Sequence, residues 1–210
     1  RGILRIERIG RDTYYVRGRD AKRRIIPEQT VGIRTLTRKV YAWVKGKNYL
    51  LQKGIDISLS NGRVHDFRML VQKNGSGMWQ VTGCAGRIGA ARSVTSNLHG
   101  GGKAVEMEKL LRERFCEDKK IAAIRETSQI LAMDIVEQLE QKYGRLCELA
   151  LDLAIDRDGG VWLLEINPQP GRNIFLQIQD YPAYRSAVTC PLEYAKWLHK
   201  ELHKSTSEIM

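Results

Sequence analysis

At 210 residues the chain is long enough to bury a sizeable core, in one large domain or two small lobes. Its composition, 42% hydrophobic and 28% charged, is that of a soluble globular protein, and no run of about 18 apolar residues is present to cross a membrane. The net charge of +11 favours polyanionic partners. The chain lacks zinc-finger spacing, an RNP aromatic motif and a basic helix with heptads, which points away from nucleic acid and leaves two readings, a basic surface that serves solubility alone or a binding site for nucleotide phosphates.

The chain begins abruptly, with Arg1 and Gly2 leading straight into a strand. That reads as a fragment of a longer protein, and without an apolar signal region the expected location is cytoplasmic. Residues 3–9 alternate apolar and polar residues and predict a strand. Short strands follow at Tyr14–Val16 and Arg24–Ile26, then a helix over Thr35–Val44 with Leu36 and Val40 on one face. Tyr49–Gln52 reads as a short buried strand. Val64–Gln72 and Met78–Thr82 flank Asn74-Gly75-Ser76-Gly77, a strong hairpin signal. Residues 86–102, rich in Gly, Ser and Asn, read as a loop that is mobile without ligand, and Lys103–Phe115 as a helix. A longer helix, Lys119–Tyr143, carries Ile121, Ile124, Ser128, Leu131, Ile135 and Leu139 in one stripe and stops at Gly144. After a second hairpin over 148–167, a helix over Pro191–Lys204 ends the chain. Antiparallel strands with a few helices make an α+β pattern. Cys84, Cys116, Cys147 and Cys190 lack CxxC spacing and read as reduced thiols.

The second hairpin carries the clearest chemistry. A two-residue reversal at Asp158-Gly159 puts Asp152 directly opposite Glu165, with Cβ atoms roughly 5 Å apart. Asn167, two residues on, projects from the same face. Leu149, Leu151, Leu153 and Ile155, with Trp162, Leu164 and Ile166, form the core face. Opposed carboxylates repel unless something neutralises them, and an oxygen-only set of this kind suits magnesium, or manganese, completed by phosphate oxygens. A solvated hairpin with incidental acids is the alternative. On the first hairpin, Asp66 and Arg68 alternate along one face: either a surface ion pair or a phosphate contact, since guanidinium matches phosphate bidentately. Arg87 has the same two readings. His65, His199 and His203 show no clear role.

This second hairpin resembles the metal-binding hairpin of ATP-grasp ligases, in which an acid followed by Glu-x-Asn holds magnesium on ATP. Here the match is Asp152, Glu165 and Asn167, with Pro168 and Pro170-Gly171 after it. Leu51-Gln52-Lys53-Gly54-Ile55 resembles the hinge whose backbone contacts adenine, so Gln52, Lys53, Gly54 and Ile55 are implied nucleotide contacts. Asp66-Phe67-Arg68, Arg87 and the Asn97-containing glycine loop resemble segments of ribosomal-protein glutamate ligases. The resemblance gives Arg68, Arg87 and Asn97 catalytic roles near the phosphates. The likeness is narrower still to the endospore coat-associated ATP-grasp family of YheC/YheD type. It rests on Arg1-Gly2-Ile3 with Glu7-Arg8, the Gln-Lys-Gly-Ile hinge and Asp66-Phe67-Arg68-Met69-Leu70-Val71-Gln72-Lys73-Asn74.

The resemblance implies an ATP-grasp fold: two lobes with antiparallel sheets and nucleotide between them, the small lobe over 1–50 truncated at its N-terminus, the large lobe over 51–210. It implies an ATP- and magnesium-dependent ligation of a carboxylate to an amine through an acyl phosphate. The alternative is a non-catalytic spore-coat-associated protein that binds nucleotide or a coat partner.

Overall fold

The computed structural model describes residues 2–22, 24–91, 93–96 and 101–207, the last four by backbone alone. Strands β1 (Ile3–Arg8), β2 (Thr13–Arg19) and β3 (Ile25–Gly32) form an antiparallel meander in that order. Gly18 lies so close to β1 that a Cβ there would sit 2.2 Å from the Ile3 carbonyl oxygen, so the close approach requires glycine. Helix α1 (Ile33–Val44) follows and buries Leu36.

A five-stranded antiparallel sheet follows, built from β4 (His65–Lys73), β5 (Trp79–Ile88), β6 (Lys103–Glu106), β7 (Glu148–Ile155) and β8 (Val161–Asn167), in the order β6-β5-β4-β7-β8. Helices α2 (Met107–Arg112) and α3 (Asp118–Tyr143) cover one face. The buried cluster there includes Phe67, Met69, Val71, Leu110, Ile121, Ile124, Leu149, Leu151, Leu153 and Ile155. Helices α4 (Asn173–Gln177) and α5 (Tyr181–Ser207) cover part of the other face, through Leu70, Ala85, Phe175, Ala183 and Ala187.

Several expectations change. Tyr49–Gln52 is not a strand: no strand pairs with it among the described residues, and Leu50 and Leu51 are 85% and 94% exposed. Gly86, Arg87 and Ile88 belong to β5 rather than a loop, and Lys103–Glu106 pairs with Ala85–Ile88 as β6 before the helix starts at Met107. Helix α5 begins at Tyr181, ten residues before Pro191, and continues through it. Proline has no N–H to give the carbonyl four residues back. That carbonyl, Ala187 O, accepts instead from Gln72 Nε2 at 3.0 Å and Arg172 Nε at 2.7 Å. On α3, Ala132 and Val136 take the deepest places, with Leu131, Ile135 and Leu139 half-buried beside them.

Candidate functional site

The two hairpins of the large sheet turn by the same local device. Asn74 Oδ1 accepts the N–H groups of Ser76 and Met78, and Asp156 Oδ1 those of Asp158 and Gly160. In each case the third residue after the Asn or Asp is a glycine at positive φ, Gly77 at 77° and Gly159 at 91°. The second reversal therefore has three residues, 157–159, closed by Asp156 N–H on Gly160 O at 3.0 Å, and not two. Near the turn this sets β8 one residue out of the expected register. An extra residue, Leu164, bulges out of the ladder and restores it, so Asp152 does lie directly opposite Glu165 and Ala150 opposite Asn167. Between bulge and turn the offset persists. Trp162 pairs with Ala154 on the Asp152 face, stays 46% exposed and donates to Asp156 Oδ2 at 2.8 Å; it is not a core residue.

Register also gathers the charged residues of the neighbouring strands. Arg68 on β4 lies opposite Asp152 on β7, and Asp66 opposite Arg87 on β5. Arg68 donates to both oxygens of Asp152, Nε to Oδ1 at 2.8 Å and Nη2 to Oδ2 at 2.9 Å. Arg87 grips Asp66 in the same fork, at 2.6 and 2.5 Å, and its Nη2 also reaches Asp152 Oδ2 at 2.8 Å. Burial alone would lower the pKa of Arg87, but hydrogen bonds and charge from Asp66 and then Asp152 outweigh it and raise it above the ordinary value. Asp66, Arg87 and Asp152 are buried, whereas the Arg68 side chain remains 21% exposed. Small neighbours, Ala85, Ala150 and Ala154, leave room for the guanidinium groups.

Two arginines thus neutralise the Asp152 carboxylate. The expected repulsion between Asp152 and Glu165 is relieved within the protein and by itself demands no cation. The donor set nonetheless fits magnesium. An ionised carboxylate offers about four acceptor sites, and the three bonds to Asp152 leave capacity on Oδ1. Glu165 is exposed and makes no ion pair or hydrogen bond among the described residues, while Asn167 Oδ1 accepts the Gln169 N–H at 3.0 Å. Among the described residues no group of three or more His, Cys, Asp or Glu side chains gathers anywhere as a metal cluster; the set here is two carboxylates and an amide.

Residues 1–198 match the family described as YheC/D like ATP-grasp. The chain belongs to this family. Its α+β architecture of two antiparallel sheets with flanking helices is accordingly an ATP-grasp fold. The chain is 30% identical over 190 residues to the endospore coat-associated protein YheC of Bacillus subtilis (strain 168), covering 90% of this chain and 50% of that protein. It is 31% identical over 157 residues to the endospore coat-associated protein YheD of the same organism, covering 73% of this chain and 33% of that protein. It therefore spans half the length or less of these curated relatives. Among solved structures, N5-carboxyaminoimidazole ribonucleotide synthetase from Thermotoga maritima aligns over 91% of this chain and 44% of its own, with 9% identity and a TM-score of 0.41.

The remaining residues singled out by family likeness are spread more widely. Gln52, Lys53 and Gly54 form an exposed, irregular segment between α1 and the large sheet, with Ile55 half-buried. Asn97, with Leu98, His99 and Gly100, lies outside the described residues. Among the described residues no helix is long and apolar enough to cross a membrane, and all four cysteines are unpaired.

Two clusters escaped the sequence reading. Arg172 Nη2 donates to both oxygens of Glu148, at 2.6 and 2.7 Å, and Gln72 Nε2 donates to the same carboxylate at 2.6 Å, on the face that carries Asp152. Glu148 alternating with Ala150 and Asp152 was the available signal. His65 is fully buried; its Nδ1 meets Ile57 O at 2.7 Å, and its Nε2 lies 3.2 Å from Nη1 of Arg114, which also donates to Ile155 O. Burial first, then the Arg114 charge, lower its pKa to about 4. That environment forms only where β4, β7 and the segment after α2 meet.

Proposed function

We propose that this chain is the nucleotide-binding part of an ATP- and magnesium-dependent ligase that joins a carboxylate to an amine through an acyl phosphate, with residues 1–50 and 51–210 as its two lobes. The observation that carries the reading is the shared sheet face: Asp152 opposite Glu165, Asn167 beside them, Arg68 one strand away and Arg87 two. Glu165, Asn167 and the remaining acceptor site of Asp152 would hold magnesium, and manganese suits the same oxygens. Bound metal supplies charge neutralisation at the β- and γ-phosphates.

The two arginines divide the work. Arg87, buried and doubly paired, holds Asp152 in place. Arg68, the more exposed, is the guanidinium able to turn toward an incoming phosphate and stabilise charge as it develops. The substrate carboxylate would attack the γ-phosphate with ADP as leaving group, and the amine would then displace phosphate from the acyl phosphate and lose a proton. No side-chain nucleophile is required. The irregular segment Gln52–Ile55 would offer its backbone to adenine, and family likeness assigns Asn97 to the phosphates.

The test is calorimetric titration of the full-length protein with ATP, with and without magnesium, together with phosphate release in the presence of carboxylate and amine pairs. Magnesium-dependent binding that Glu165→Gln abolishes is expected. ATP affinity indifferent to both would overturn the reading. A second reading, nucleotide or partner binding without turnover, is favoured by the names of YheC and YheD as endospore coat-associated proteins, and would place coat proteins among this chain's partners. Tight magnesium-dependent ATP binding, with no phosphate release across the substrate panel, would select it.

A further inference from the structure

Strand β6 pairs with β5 only from Ala85 to Ile88, and at Met107 the chain leaves the sheet as α2. On its inner side β5 is paired with β4 along its whole length, through one bulge. On its outer side, residues Trp79–Cys84 have no strand partner among the described residues. At about 3.3 Å per residue this is about 20 Å of open strand edge. Such an edge presents a row of N–H and C=O groups ready to pair with another chain.

The edge does not lie on open surface. Its Val81–Cys84 end, through Val81, Gly83 and Cys84, borders a cleft of about 360 Å³ walled by Arg125 and Gln129 of α3 on one side and by Ile178 and Asp180, between α4 and α5, on the other. Met69, Val81 and Met107 give it apolar lining. Its charge is uneven. Glu108 is matched by Arg125 at 2.9 Å and Arg112 at 2.8 Å. Glu106 and Asp180 make no ion pair among the described residues, and Asp180 Oδ1 accepts only the Ala183 N–H at 3.0 Å there, so the cleft presents acid without a side-chain cation on a chain of net charge +11. A row of unpaired backbone groups selects an extended peptide, the apolar lining selects alternate apolar side chains, and the unmatched acids select basic ones between them.

We infer that the open edge of β5 takes up an extended basic segment of a partner protein as an added strand. This strand edge lies two strands from Asp152 and needs no nucleotide. The probe is a fluorescein-labelled hexapeptide, Val-Lys-Val-Lys-Val-Lys, titrated into the full-length protein by anisotropy. Its controls are the same peptide N-methylated on alternate residues in either register, and Val-Glu-Val-Glu-Val-Glu. Backbone pairing predicts that one N-methylated register abolishes binding and that the acidic peptide does not bind. Glu106, exposed at the cleft rim, can be changed without touching the core, and Glu106→Lys should weaken binding about fivefold, the equivalent of about 1 kcal/mol. Amide NMR shifts should centre on Trp79–Cys84. Any one of four results would overturn the inference: equal binding of both N-methylated peptides, competition by free lysine at equal concentration, shifts centred on another strand, or no binding of the basic peptide.

Discussion

On one face of the five-stranded sheet, Phe67, Met69, Val71, Leu149, Leu151 and Leu153 are buried against α2 and α3; on the other, one residue along each strand, Asp66, Arg68, Arg87 and Asp152 form a closed ion network. The strands are the same and only the parity differs. The apolar face is held by non-directional burial, so each truncation removes its own share and leaves a cavity. The charged face is held by pairing, so its stability depends on completeness. A lone guanidinium or carboxylate left at that depth costs more than the pair contributes.

The largest effects should expose that contrast. Phe67→Ala, at a fully buried position, should cost about 3–5 kcal/mol in denaturant unfolding. Arg87→Met should cost a similar amount, about 3–5 kcal/mol, because it leaves Asp66 buried and unpaired. The two faces separate in the double variants. Adding Asp66→Leu to Arg87→Met should recover much of the loss, whereas adding Leu151→Ala to Phe67→Ala should deepen it. If Asp66→Leu restored nothing, the network would not be acting as a set of pairs.

Acid should find the next weak point. His65 is held neutral in the folded protein with a pKa lowered to about 4, while in the unfolded chain it titrates near 6.5. Between these values the unfolded state binds the extra proton, so stability falls as pH drops from about 6.5 to about 4, by up to about 3 kcal/mol. Above about 6.5 this contribution is fully present. His65→Gln should flatten the unfolding free energy over that window, whatever it costs at neutral pH. A wild-type curve flat between pH 6.5 and 4 would mean that the buried ring accepts its proton without opening the contacts to Ile57 and Arg114.

How much was legible in the chain follows from the range of the forces involved. The hairpins were readable because Asn74-Gly75-Ser76-Gly77 and Asp156 to Gly160 encode their turns locally. Asp152 opposite Glu165 was also readable, although by a different route: the three-residue reversal and the Leu164 bulge offset each other. A bulge leaves no mark in a pattern of alternating residues, which is why Trp162 was expected in the core. β6 was mistaken for the start of a helix because Lys103–Glu106 becomes a strand only through pairing with Ala85–Ile88. Asp66 and Arg68 looked like partners for each other. Each found its ion pair on a neighbouring strand, Arg68 with Asp152, 84 residues away.

Leu164 offers a smaller test of the bulge itself. It is half-buried and belongs to neither face of the regular ladder, so Leu164→Ala should cost less than a core leucine, about 1 kcal/mol. Deleting Leu164 is more informative than truncating it, since the bulge disappears while Leu153 still meets Leu163 and Asp152 still meets Glu165. That deletion should keep magnesium-dependent nucleotide binding where the protein still melts cooperatively. A cooperatively melting deletion variant that lost ATP affinity would show that the site needs the bulge itself and not only the Asp152–Glu165 register.

Glu165→Gln should have the smallest effect on the fold. Glu165 is exposed on an edge strand and makes no hydrogen bond or ion pair among the described residues, so its loss breaks no contact. Relief of repulsion with Asp152 should also be slight, because Arg68 and Arg87 already neutralise that carboxylate. The two considerations together predict a change in unfolding free energy within about 0.5 kcal/mol. Under the proposed function, the same substitution removes one of the anionic oxygens offered to magnesium, and magnesium-dependent ATP binding should be lost. A residue that leaves the melt unmoved while its amide variant abolishes binding is acting on the ligand. Were thermal melts of Glu165→Gln to fall as far as those of Leu164→Ala, the glutamate would instead be part of the scaffold, and the case for a metal at this hairpin would lose its most exposed ligand.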